Sequence, residues 1–351
     1  MGSSDAASDL GFARAAPPRV FHFPADHGPH PEFRTEWWYY TGNLATPDGR
    51  GFGFQLTFFR RALAPRPPDR PSPWATNQIY LAHFALSDLG DGSFRSFERT
   101  ARGALDLAGA RAFPFHVWLD GWSAAASGSE ATSIRLRAAA GSPPVAVDLA
   151  LGQGKPPVLE GDRGLSRKGA EPGQASYYYS LTRMPAAGSV RVGVRSFAVR
   201  GLAWMDREWS TGSLGRDQVG WDWFALQLDD GRDLMLYRLR RRDGGADPVS
   251  AGTVVDPAGG SRPLAWSEVR VTVLDRWTSP RSGASYPARW RLALPALGLD
   301  LDVRPALADQ ELDTSFRYWE GAVIVAGTSR GAPLHGQGYA ELTGYAENGA
   351  R

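Results

Sequence analysis

The chain has 351 residues, enough for two domains at roughly 150 residues each. It contains no cysteine, which excludes disulfide scaffolds, thiol catalysis and cysteine-bound zinc or iron–sulfur centres. Lys+Arg 39 against Asp+Glu 37 gives a formal charge of +2, so no whole-chain field favours nucleic acid, and no apolar run approaches the roughly 18 residues of a membrane span.

Residues 1–20 are small and polar and read as a disordered or tag-like leader. No charged-then-apolar export signal is visible. The expected location is periplasmic or extracellular if such a signal has been removed, and cytoplasmic otherwise. His22, His27 and His30 follow without an acidic ligand at metal-site spacing, so no metal is expected there.

The first strand carries Glu36-Trp37-Trp38-Tyr39-Tyr40, which places two aromatics on each face. A turn at Asp48-Gly49-Arg50 leads into Phe52, Phe54, Leu56 and Phe58, alternating with period two. Similar runs follow at 78–87, 113–120, 133–139, 145–151, 176–183 and 190–199. The second half adds 220–228, 233–240, 268–274, 288–294, 299–304, 322–327 and 336–345. Weak helical patterns are confined to 61–63 and 305–313. The proline-rich stretch 64–74 reads as a loop, and 152–172 as a flexible lid. Gly327-Thr328-Ser329-Arg330-Gly331 has nucleophile-elbow spacing but joins two strands, so its serine is a hairpin residue.

The beginning of the chain echoes in its second half. Trp221-Asp222-Trp223-Phe224 leads to Asp230-Gly231-Arg232 and another apolar strand, as Trp37-Trp38-Tyr39-Tyr40 leads to Asp48-Gly49-Arg50. The expected fold is all-β, with two tandem antiparallel β-barrel domains at 21–205 and 206–351 and a linker near 201–217.

Chemistry concentrates in three segments. In Trp204-Met205-Asp206-Arg207-Glu208-Trp209, alternation puts Trp204, Asp206 and Glu208 on one face and Met205, Arg207 and Trp209 on the other. Two carboxyls beside tryptophan, if desolvated, would keep a proton near neutral pH and serve as general acids. Glu36, Trp37, Trp38 and Tyr39 form the second group. The third is Trp221, Asp222, Trp223 and Gln227, with Gln227 a candidate orienting hydrogen bonder on an otherwise apolar face. Tyr237 and Trp319 complete the candidate binding residues; His83 and Tyr177-Tyr178-Tyr179 also fall on strands.

Together with Tyr318-Trp319-Glu320-Gly321-Ala322 and Gly338-Tyr339-Ala340-Glu341-Leu342-Thr343-Gly344-Tyr345, these segments resemble the AttH family of lipocalin-like proteins. That family is related to hydroxyneurosporene synthase, a carotenoid hydratase, and more distantly to lipocalin-like Diels–Alderases. The resemblance spans about Phe21 to Glu347. It implies two lipocalin-like barrels with a pocket in or between them, and an Asp near tryptophans that protonates an isoprenoid double bond. Asp206 matches that position better than Asp222. Where the family often reads Asp-His, this chain reads Asp206-Arg207, and an adjacent arginine would hold the acid ionised.

The expected function is therefore a cofactor-free enzyme acting on a bulky apolar small molecule, an isoprenoid or polyketide. The reaction is acid-assisted hydration or isomerisation of an alkene, or a pericyclic cyclisation. Asp206 and Glu208 are the catalytic candidates, and Glu36, Trp37, Trp38, Tyr39, Trp209, Trp221, Asp222, Trp223, Gln227, Tyr237 and Trp319 the binding ones. The alternatives are a non-catalytic carrier of a hydrophobic ligand and a sugar-binding β protein. The sequence does not define an oligomeric state.

Overall fold

A computed structural model describes residues 9–128, 131–212 and 214–346. Thirteen strands form the first sheet: β1 (Thr35–Ala45), β2 (Gly51–Ala62), β3 (Gln78–Asp88), β4 (Ser93–Arg102), β5 (Ala108–Arg111), β6 (His116–Leu119), β7 (Trp122–Ala126), β8 (Ser133–Ala140), β9 (Val145–Gly152), β10 (Val158–Leu159), β11 (Leu165–Arg167), β12 (Ala175–Val192) and β13 (Arg195–Ser210). Ten form the second: β14 (Gln218–Leu228), β15 (Asp233–Arg241), β16 (Ala251–Val255), β17 (Ser261–Ala265), β18 (Arg270–Thr278), β19 (Ser285–Leu294), β20 (Leu299–Pro305), β21 (Glu311–Leu312), β22 (Tyr318–Ser329) and β23 (Ala332–Leu342).

The two sheets share one wiring plan. The first runs β4-β3-β2-β1-β13-β12-β9-β8-β7-β6-β5, and the second β17-β16-β15-β14-β23-β22-β20-β19-β18. In each, an opening meander is closed by the last strand returning to pair antiparallel with the first. The sequence echo is thus a repeated topology. Its Asp-Gly turns join β1 to β2 and β14 to β15, with Gly49 and Gly231 at φ 88° and 86°, a conformation glycine adopts without strain.

Alternation explains the curling of each sheet. Trp38, Tyr40, Phe52, Phe54, Leu56 and Phe58 point inward and join one packed core with Leu136, Leu149, Met205 and Trp209. Phe84 of β3 meets Trp122 of β7 across the interior, ring centroids 5.8 Å apart. The second sheet closes over Phe224, Leu236, Trp290, Leu301 and Trp319. Both interiors are filled by side chains. The outward faces of β1, β12 and β13 pack against those of β14, β15, β22 and β23, around a third cluster containing Tyr39, Tyr178, Trp204, Trp223, Tyr237 and Tyr339.

Several expectations change. Among the described residues there is no α-helix. Arg61 and Ala62 end β2, Pro305 ends β20, and Glu311–Leu312 pairs with β22. These short segments gain more from strand pairing than from a helix too brief to be stable alone. The 190–199 run is split by a hairpin at Gly193, φ 61°. Residues 1–8 lie outside the described residues, but from Asp9 onward the leader touches the first barrel at several points, with Asp9 and Phe12 buried and Leu10 and Val20 exposed. Ala15 is buried, and the Tyr177 hydroxyl donates to the Pro17 carbonyl at 2.9 Å. The 152–172 stretch is a wall rather than a lid, because β10 and β11 pair with β12. β13 stays in the first sheet through Ser210, and β14 opens the second at Gln218. Ser329 sits at the β22–β23 hairpin as its spacing between strands suggested. No helix among the described residues is long and apolar enough to cross a membrane.

Candidate active site

Strand register assembles the site between the barrels. On the first sheet, Glu208 of β13 lies between Trp37 of β1 and Tyr178 of β12; one step along, Asp206 lies between Tyr39 and Ser180. On the facing sheet, Glu341 of β23 lies between Glu320 of β22 and Trp223 of β14, which is itself opposite Tyr237 of β15. Period-two alternation turns all of these toward the opposing barrel.

Asp206 is the hub and is 4% exposed. Its Oδ1 accepts from the Trp204 indole at 2.7 Å, and its Oδ2 from the Tyr178 hydroxyl at 2.6 Å. The Trp223 indole in turn donates to the Tyr178 oxygen at 3.3 Å, tying the second barrel to the hub. Ser180 Oγ lies 2.6 Å from Asp206 Oδ1 and 3.0 Å from Glu160 Oε1. A serine hydroxyl has one proton and cannot donate to both. Both contacts are hydrogen bonds only when one acid is neutral and donates to Ser180. Thr253 donates to the other Glu160 oxygen.

Burial pushes Asp206 up to about 7, against the opposing hydrogen bonds from Ser180, Tyr178 and Trp204. Burial likewise pushes Glu160 up to about 8 and Glu341 to about 7, and drives Glu320 well above the carboxylate range, with Glu341 beside it adding to the rise. The counter-charge is Lys168, whose Nζ is 3.1 Å from Glu208 Oε1 and lies over the rings of Tyr237 at 4.6 Å and Tyr178 at 5.1 Å. Burial opposes its charge, but Glu208 and its other neighbours more than offset that and hold it protonated. Trp37, Trp221, Lys168 and Glu341 are partly exposed and mark the edge by which the cluster meets solvent.

The sequence-predicted residues divide by face. Asp206, Glu208, Trp37, Tyr39, Trp221, Trp223 and Tyr237 converge between the barrels. Gln227 shares that face, but its amide donates to the Thr182 carbonyl at 2.7 Å and the Ala203 carbonyl at 3.0 Å, so it ties the barrels together. Glu36, Trp38, Trp209, Asp222 and Trp319 point the other way, into barrel interiors, and do not meet Asp206. Glu36 is clamped by Arg60 and Arg207. Asp222 is paired with Arg240 at 3.2 Å and accepts from Tyr345 at 2.8 Å. Arg207, expected to hold Asp206 ionised, faces inward over Trp38 at 4.0 Å. Its charge serves Glu36 instead.

Sequence reasoning missed Glu160, Lys168, Tyr178, Ser180, Glu320 and Glu341 as site members. The period-two pattern of Tyr339 and Glu341 was a usable signal, and so was the scarcity of lysine. Both lysines of the chain bridge the barrels, Lys155 by pairing with Asp233 at 2.7 Å. Among the described residues no group of three or more His, Asp or Glu is placed to hold a metal ion. His27 instead meets the Tyr179 hydroxyl at 2.6 Å, and His30 meets Asp26 at 3.1 Å while stacking on Trp209 at 3.8 Å.

Known structures share this architecture. An AttH protein from Nitrosomonas europaea is 36% identical, with a TM-score of 0.84 over 95% of this chain and 100% of that one. Kievitone hydratase from Nectria haematococca is 13% identical, with a TM-score of 0.71 over 95% and 99% of the two chains. CghA, in a structure with Sch210972, is 14% identical, with a TM-score of 0.58 over 97% and 98%. At those last two identities the likeness is one of fold. No curated protein matches the sequence. The AttH-like family model matches residues 14–345, nearly the whole chain, and the protein belongs to that family.

Proposed function

We propose that this protein is a cofactor-free enzyme that protonates an alkene of a bulky apolar small molecule between its two barrels, leading to hydration or isomerisation. The observation that carries this reading is the Glu160–Ser180–Asp206 unit, which is hydrogen-bonded throughout only when it holds a proton. Asp206 gives that proton to an alkene carbon. Trp37, Trp221 and Trp223 face the developing cation, each worth up to roughly 2 kcal/mol when desolvated. In hydration a water adds to the cation and its surplus proton returns to the carboxylate, so atoms and charge balance. In isomerisation the cation loses a neighbouring proton to the same carboxylate. A fold neighbour that is named a hydratase supports the first outcome. The filled barrel interiors weigh against a carrier that would hold its ligand inside a barrel.

The test is mass spectrometry of apolar molecules that co-purify or are supplied as polyene and isoprenoid extracts. Gain of one water marks hydration, and a retention change at constant mass marks isomerisation. Both activities are expected to fall by about a hundredfold or more in Asp206→Asn. Turnover that survives Asp206→Asn combined with Glu208→Gln overturns the acid mechanism and leaves a pericyclic closure, in which the site would act by folding the substrate. A bound molecule always returned unchanged overturns catalysis.

A further inference from the structure

Four polar atoms on the facing surfaces of the two barrels are buried with no hydrogen-bond partner among the described residues: Tyr39 Oη, Thr41 Oγ1, Gln55 Oε1 and Glu320 Oε1. Buried polar groups in folded proteins almost always have a partner, so four orphans in one place require a cause. The Gln55 amide nitrogen donates to Thr57 Oγ1 at 2.6 Å, and turning the amide over only exchanges which end is left over. Strand register puts the four together. On β1 and β2 the outward-facing pairs run Trp37 beside Phe59, Tyr39 beside Thr57, Thr41 beside Gln55 and Asn43 beside Gly53. The inner end of this row is sealed. The Asn43 amide donates to the Gly338 carbonyl at 3.0 Å, and a Cβ at Gly53 would come within 2.8 Å of both the Ala322 Cβ and the Tyr339 hydroxyl. The residue before Ala322 on that face of β22 is Glu320, whose carboxyl neighbours the Tyr39 hydroxyl. The orphaned atoms thus lie between that seal and Asp206, the cross-strand neighbour of Tyr39.

We propose that Tyr39, Thr41, Gln55 and Glu320 hold ordered water, and that this water is the nucleophile of the hydration, a role that rests on the acid reading of Asp206. The four groups select a small neutral ligand that both gives and takes hydrogen bonds. Tyr39 and Thr41 offer hydroxyls, Gln55 offers a carbonyl oxygen, and a neutral Glu320 offers a donor and an acceptor. A buried water typically makes about three such bonds to groups that otherwise lack them. An anion would meet two carboxyls here, Glu320 and its cross-strand neighbour Glu341. A cation would need those carboxyls ionised in a buried site, which is costly.

The place suits attack on a cation. The Tyr39 and Trp223 rings meet at 80°, centroids 5.2 Å apart, and Trp223 is one of the faces that meets the developing charge. Water held at the Tyr39 hydroxyl is therefore beside the cation, and the seal at Asn43 and Gly53 closes the cleft behind it. In the addition one C–O bond forms, and the surplus O–H proton passes to the Asp206 carboxylate and restores the acid. Burial, with Glu320 and Glu341 beside it, pushes the Tyr39 hydroxyl well above its ordinary range, so Tyr39 keeps its proton and serves as a donor to the water. Burial, assisted by Glu341, keeps Glu320 neutral. The four residues position the water and leave proton transfer to Asp206. Water in this site when the cation forms gives the hydrated product; without it, the cation loses a proton and isomerises.

A crystal structure of the parent protein that shows individual waters tests the binding site without substrate. Ordered water within hydrogen-bond distance of about three of the four side chains is expected. It should be lost or displaced in Thr41→Val, which exchanges one hydroxyl for a methyl of the same shape. Direct bonds among the four side chains, with no water between them, overturn the site. The share of product that has gained a water tests the nucleophile. In Thr41→Val and in Tyr39→Phe the ratio of hydrated to isomerised product should fall about tenfold, as loss of one hydrogen bond to the attacking water implies. A merely structural role would lower both products in step and leave the ratio where it was. That result, or an unchanged yield of both, overturns the nucleophile role even where the water is seen. Failure of the acid reading shows separately, as full turnover in Asp206→Asn. It takes the nucleophile role with it, while the crystal structure still decides the site.

Discussion

Two buried charge clusters sit back to back on β13, one residue apart. Arg207 points into the first barrel, and together with Arg60 it clamps Glu36. Asp206 and Glu208 point between the barrels, where Glu160, Glu320 and Glu341 add three more acids against the single nearby ammonium of Lys168. Burial acts on both clusters alike, and partners decide the outcome. Glu36 has two guanidiniums and the His30 backbone N–H at 3.0 Å, so it is held well below the carboxylate range despite burial. Asp206 has only neutral donors, so burial wins and it rises to about 7. A matched cluster locks a fold, and an acid-rich one stores protons. The strand's alternation lets one segment do both.

The two clusters impose opposite pH dependences on stability. Glu36 has a depressed folded pKa, so its contribution is present above the unfolded carboxylate value and is lost as pH falls. Asp206 and Glu160 have raised folded pKa values, so their contribution is complete below the unfolded values and is lost as pH rises through about 7 and about 8.

Breaking the matched cluster should cost most. Arg207→Ala leaves Glu36 short of a partner in a filled interior, and denaturant unfolding should show a loss of about 3–5 kcal/mol. Asp206→Asn should leave the fold intact, flatten the loss of stability between pH 5 and 8 and lower turnover by about a hundredfold to ten-thousandfold. Gln227→Ala strips the donors from two buried carbonyls of the first barrel and should cost about 1–3 kcal/mol in the same unfolding assay. Lys168→Met removes the nearby ammonium from the acid-rich cluster, so the neutral acids seen by infrared titration should persist to higher pH. An unchanged titration would show that Lys168 is too solvated to matter.

Much of this was legible in the chain. Alternation gave the strands and the two faces of 204–209, and the paired Asp-Gly turns gave the repeated barrel. Pairing between β1 and β13, strands some 160 residues apart, was not legible, and it is what sets Tyr39 against Asp206. Glu160 and Lys168 come from a segment whose glycines and prolines read as a lid. Only its pairing with β12 turns those side chains inward. Glu36 and Trp38 looked like site residues because aromatics beside an acid mark pockets. They also mark a barrel core that needs a buried ion pair closed off, and the register decides between the two.

The central claim is that Asp206 shares a proton near neutrality, and a pH titration of the neutral-carboxyl infrared band, taken as the difference between the parent protein and Asp206→Asn, tests it most directly. A difference band that is present at pH 5, fades through about 7 and is absent at pH 9 is expected. A parent and variant with identical neutral-carboxyl bands from pH 5 upward would mean that Asp206 is ionised throughout, and would contradict it.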